Sequence, residues 1–158
     1  MATNDIPVLV EQADGSYAYR LKAWGSVHHA SDQAVTITTA GTYYVDANAT
    51  EGVAKNLTTT AATGRINLSV AGSYLVGFSV SLTGVATEKI SAALHKSGTI
   101  VTPSIQTVEV VGATDEIHLS GFAIVDSDGS NFVDLRFTSS ASSTSITIKR
   151  SNITATYI

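Results

Sequence analysis

Four groups of residues have the types and spacing to do chemistry. His28-His29, with Asp32 close behind, offers imidazole and carboxylate ligands for a metal ion. Adjacent side chains on a strand point to opposite faces, so one chain does not easily present both histidines to one ion. A metal there needs one histidine repeated around a symmetry axis; otherwise the pair belongs to a linker. Asp126-Ser127-Asp128-Gly129-Ser130-Asn131 has the spacing of the first half of a calcium loop. It lacks the distal glutamate and the flanking helices, and Asp, Asn, Ser and Gly are also what a hairpin turn uses. Asp115, Glu116 and His118, with the many serines, contain the acid, base and nucleophile types of a hydrolase. No Gly-x-Ser-x-Gly elbow and no oxyanion element accompany them. Glycoside cleavage needs a carboxylate pair in a cleft, whereas the acidic residues here are scattered at turns. Tyr17, Tyr19 and Trp24 can stack on a sugar or anchor a protein contact. The expectation is a protein without catalytic residues, cofactor or metal site.

Composition narrows the partners. The chain has 158 residues, which fits one domain with its own core. It has no cysteine, so neither a disulfide framework nor a thiolate metal site is available. Charged residues are 14% of the chain, against about a quarter in an average soluble domain, and hydrophobic ones are 44%. That deficit implies a surface partly covered by other chains. The formal net charge is −4 and the largest basic cluster is Lys149-Arg150, so nucleic acid is not an expected partner. No apolar run approaches the ~20 residues of a membrane span, and Met1 to Asp5 has no signal-peptide pattern. With Met1 as the only methionine, a whole gene product is expected, and the sequons at Asn48, Asn56, Asn67 and Asn152 carry no weight.

The elements that would position these residues are all strands. Apolar residues never recur at i, i+3, i+4 and i+7 for more than one turn, while period-two runs are common. The N-terminal part reads as a hairpin: Pro7 to Val10, a turn at Asp14-Gly15, and a return strand from Tyr17 to Trp24, broken at Gly25-Ser26. Strands then follow at Val35–Thr38, Thr42–Val45, Arg65–Leu68, Tyr74–Leu82, Ile90–Leu94, Ile117–Val125, Val133–Phe137 and Ile146–Ile158, with a pair of alternating valines at Val108 and Val110. Strands spaced in this way, with turn residues between them, form a sandwich or barrel. In the longest clean strand Tyr74, Val76, Phe78, Val80 and Leu82 share one face.

Two strands break the alternation of wet and dry. Gly121 to Val125 is apolar on both faces. In the last strand Ile146 and Ile148 have one parity and Ile153, Ala155 and Tyr157 the other. A bulge near Lys149 to Asn152 accounts for the second case. The simpler account for both is a second buried face against another subunit, lined by Phe122, Ile124, Ile146, Ile148, Ile153 and Tyr157.

The order of motifs then carries a resemblance. It runs from Thr38-Thr39-Ala40-Gly41-Thr42-Tyr43-Tyr44 through Gly64 to Leu68, Gly72 to Leu82, Ile90 to Thr99 and Phe132 to Phe137, and ends at Thr144 to Ile148. This series resembles the C1q/TNF-like jelly-roll domains found in bacteriophage structural proteins, such as head decoration proteins, head fibres and tail fibre tips. It covers residues 32–158, with Lys96-Ser97-Gly98 where Lys-Asn-Gly is usual and Asp126-Ser127-Asp128-Gly129 where a shorter turn is usual. The resemblance implies an all-β antiparallel jelly-roll sandwich and a homotrimer with one sheet facing a three-fold axis. Residues 1–31 lie outside it and form an attachment arm, in which Val8, Val10, Tyr17, Tyr19 and Trp24 would grip the major capsid protein. The expected function is a non-enzymatic capsid decoration or head-fibre protein at the virion surface. A tail-fibre module recognising host glycan is the alternative, and a secreted C1q-like signalling or lectin domain a third.

Overall fold

The computed structural model describes residues 8–11, 17–20 and 22–158. In chain order the strands are β1 (Val8–Glu11), β2 (Tyr17–Arg20), β3 (Trp24–His29), β4 (Gln33–Ile37), β5 (Tyr44–Val45), β6 (Thr50–Lys55), β7 (Thr58–Thr60), β8 (Arg65–Leu68), β9 (Gly72–Thr83), β10 (Lys89–Lys96), β11 (Thr99–Ile100), β12 (Gln106–Glu109), β13 (Ile117–Ser127), β14 (Asn131–Ser139) and β15 (Thr144–Tyr157). Every pairing is antiparallel.

Two sheets form a sandwich. In the six-stranded sheet the order is β13-β9-β15-β3-β6, with β4 also on β15. In the seven-stranded sheet it is β11-β10-β14-β8-β7, with β12 on β10 and β5 on β14. Strand neighbours far apart in the chain mark the jelly-roll winding. Alternation fills the space between the sheets. Tyr74, Val76, Phe78, Val80 and Leu82 of β9 are buried against Ile66, Leu68, Ile90, Leu94, Val133, Leu135 and Phe137 of the facing sheet. Burying each such side chain contributes about 1.5–3 kcal/mol.

β15 holds both parities of its apolar residues in this one core. The register against β9 shifts between Ile148 and Arg150, so Lys149 is an extra residue. Ile146 and Ile148 point inward before the bulge, and Ile153 and Ala155 point inward after it; all four are essentially inaccessible to solvent. The expectation that Ile146, Ile148 and Ile153 line a subunit interface is therefore corrected: the bulge, not a second buried face, explains the parity change.

The N-terminal boundary also moves. β1 and β2 pair as a hairpin from Val8↔Arg20 to Glu11↔Tyr17 and join neither large sheet. The turn at Asp14-Gly15 and the side chains of Val8, Val10, Tyr17 and Tyr19 lie outside the described residues. β3, by contrast, is an interior strand between β15 and β6. Gly25 does not break it. A Cβ on Gly25 would meet Ala54 of the neighbouring strand and Ile66 of the facing sheet at 3.4 Å, ordinary van der Waals contact, so the position is a packed one within the strand. Trp24–His29 thus belongs to the sandwich rather than to the arm that the sequence placed at 1–31.

Candidate functional site

The outer face of the six-stranded sheet is built by the same alternation that fills the core. Outward residues line up across strands in four rows. Ile124, Leu75, Thr156 and Trp24 form the first; Phe122, Gly77, Thr154 and Ser26 the second. Ser120, Ser79, Asn152 and His28 form the third, and His118, Ser81 and Arg150 the fourth. The face is thus graded, apolar and aromatic at one end, hydroxyl-rich and basic at the other. At the apolar end Phe122 is 71% exposed, Ile124 65%, Leu75 44% and Trp24 39%. Gly77 leaves a depression beside Phe122, and a shallow groove of about 880 Å³ runs past Phe122 and Ile124 toward Ser120, Asn152 and Thr154.

Of the six residues expected at a subunit contact, Phe122 and Ile124 are on this face. Tyr157 is half-buried at the sandwich end, with its ring edge-on to Tyr74 at 5.3 Å and packed over Gly72. Trp24 joins the face, and Leu75 is an addition that sequence reasoning missed. No local signal marks Leu75, since its outward neighbours in β9 are Gly77 and two serines; only the register beside Ile124 makes it part of a patch.

The other candidate residues separate. His28 points outward and His29 inward, as strand alternation requires. Asp32 is taken by Lys149, Nζ to Oδ2 at 2.6 Å. In the loop after β13, Asp128 Oδ1 accepts bonds from the Ser130 hydroxyl and backbone N–H at 2.7 and 2.8 Å, which hold its carboxyl below the usual range. Asp126 accepts from Ser73 Oγ at 2.6 Å, and Asn131 Oδ1 accepts from the Asp128 N–H. These bonds make a side-chain-stabilised turn. No group of three metal-ligating side chains occurs among the described residues.

Two buried polar clusters were invisible in the sequence. Asp46 lies between the sheets, with Oδ1 2.7 Å from His29 Nε2, off the line of a hydrogen bond, and Oδ2 accepting from Ser151 Oγ at 2.9 Å. Its backbone N–H donates to Leu135 O, so Asp46 ties β14 to β3 and β15. Gly64 closes over it, since a Cβ there would lie 1.9 Å from the Asp46 carbonyl oxygen. The carboxylate separates serine from histidine, the wrong order for nucleophile activation. The second cluster lies on the outer face of the seven-stranded sheet. Asp134, fully buried, accepts from Arg136 Nε and Nη2 at 2.8 and 3.0 Å and lies 3.4 Å from Arg65 Nε. Arg65 in turn covers the Phe132 ring at 3.9 Å. His95 sits beside Asp134 under Tyr43, and burial pushes its imidazole below the ordinary value.

This sandwich is the C1q-like jelly roll. Solved structures include the globular domain of zebrafish complement 1qA protein, at TM-score 0.56 and 13% identity, covering 86% of this chain and 96% of that one. Dimeric latent PorU from Porphyromonas gingivalis aligns at TM-score 0.48 and 12% identity over 86% of this chain and 13% of its own length. No family model and no curated protein matches the sequence.

Proposed function

We propose that this chain is a non-enzymatic structural protein of a bacteriophage particle, a homotrimeric capsid decoration or head-fibre protein. The observation that carries the proposal is the exposed apolar end of the six-stranded sheet. Phe122, Ile124 and Leu75 are neighbours on it, and Trp24 lies one strand further along the same row, beyond Thr156, in a chain poor in charge. Such a patch is suited to contact with other chains, and further copies of this face would cover it three times over around an axis. The order of jelly-roll motifs supports the phage assignment. The hairpin of β1 and β2 stands apart from both sheets in its pairing and serves in this proposal as the attachment arm to the major capsid protein.

The test is particle binding. Labelled full-length protein added to particles stripped of it should bind heads. A version lacking residues 1–21, which leaves β3 intact, should keep its fold and assembly and lose the particle. Binding to tails instead would favour a receptor-binding module, and undiminished head binding by the truncated protein would remove the arm from its role.

A further inference from the structure

The basic end of the same face supports an assignment that needs no partner copy. His28, His118 and Arg150 come from three strands, β3, β13 and β15, and converge on a groove of about 510 Å³. Between them lie the hydroxyls of Ser79 and Ser120 and the amide of Asn152. Among the described residues no aspartate or glutamate lines the groove. The carboxylate beneath it, Asp46, is buried and turned to His29 and Ser151. Arg150 has no carboxylate partner among the described residues; its Nη1 donates to the Lys149 carbonyl, and the rest of the guanidinium is uncommitted. The arginines on the other sheet behave differently, since Arg65 and Arg136 are both committed to Asp134. An uncompensated basic groove on a chain of net charge −4 runs against the overall charge.

We propose that this groove is a binding site for an oxyanion, a carboxylate, sulfate or phosphate group on a small ligand. A guanidinium fork takes such a group through two parallel bonds. The imidazoles and the row of hydroxyls and amide supply further donors. The bulge at Lys149 contributes directly, because the extra residue turns Arg150 to the outer face in line with Ser81 and His118.

The experiment titrates the protein with inorganic phosphate, with glucuronate and with neutral glucose at constant ionic strength. Arginine Nε–H and histidine C–H resonances report binding, and light scattering on the same samples reports assembly, so an error about the trimer does not disguise the result. Saturable shifts confined to Arg150, His28 and His118, with phosphate or glucuronate and not with glucose, are expected. Tighter binding of glucuronate assigns a sugar carboxylate, and tighter binding of phosphate assigns a phosphoryl group. Arg150→Gln should weaken the interaction about tenfold, the scale of one lost charge-assisted contact. Lys89→Gln, equal in charge and on the other sheet, should leave it unchanged. His118→Gln repeats the test should the arginine variant misfold. Shifts that never saturate, or equal weakening by the Lys89 variant, would overturn the assignment.

Discussion

The outer faces of the two sheets are finished in opposite ways. On the seven-stranded sheet the chain covers its own surface. Arg65, Arg136 and Tyr43 close over Asp134 and His95, so the carboxylate at its centre is paired and the imidazole beside it is covered. On the six-stranded sheet Phe122, Ile124, Leu75 and Trp24 are left open, and at the other end Arg150 has no counter-ion among the described residues. One face is largely covered by the chain's own side chains, and the other leaves apolar side chains open to solvent.

The contrast can be broken by substitution. Ile148→Ala should cost about 3 kcal/mol in urea unfolding, because Ile148 lies in the single core that the β15 bulge makes possible. A cost below about 1 kcal/mol would return Ile148 to a surface role. Asp134→Asn should cost somewhat less, about 2–3 kcal/mol, since it strands Arg136 beside a neutral amide while Arg65 keeps partial access to water. Unchanged stability in that variant would show that the seven-stranded face is not held by its ion pairs.

Phe122→Ser acts on the open face and should separate assembly from folding. The wild-type unfolding midpoint should rise with protein concentration, as linked dissociation requires, and that of the variant should not. Equal concentration dependence in both would place the contact elsewhere. The smallest effect belongs to His95. Burial is the main cause of its lowered value; the Ala93 carbonyl and Asp134 oppose that shift, and Arg136 adds to it. The unfolded chain therefore binds this proton first. Its contribution is complete above the unfolded histidine value near ~6.5 and declines as pH falls from there toward the folded value. His95→Gln should flatten that part of the stability curve relative to wild type, and parallel curves would contradict the assignment.

Much of the sandwich was legible because a period of two is a local signal. The inward set of β9 could be read directly, as could the glycine-bearing turn after Lys96, where Ser97 and Gly98 both take positive φ. Trp24 was misplaced because Gly25 looks like a break, although Ala23, Val27 and His29 continue the buried parity on either side of it. β6 and β7 were missed in a Thr- and Ala-rich stretch whose burial pattern does not alternate cleanly. The two-parity last strand had a bulge as one of two explanations, and only the register against β9 decides between them. Nothing in the sequence brings Asp46 to Ser151, 105 residues away, or Arg65 to Asp134. The open face is of the same kind: Phe122, Leu75 and Trp24 come to share one face only when four strands, β13, β9, β15 and β3, are placed side by side.

Light scattering coupled to gel filtration on the full-length wild-type chain tests the central claim most directly. The account predicts a species of three times the 16.4 kDa chain mass, which Phe122→Asp converts to a folded monomer. A wild-type mass of a single chain at concentrations of tens of micromolar would contradict it.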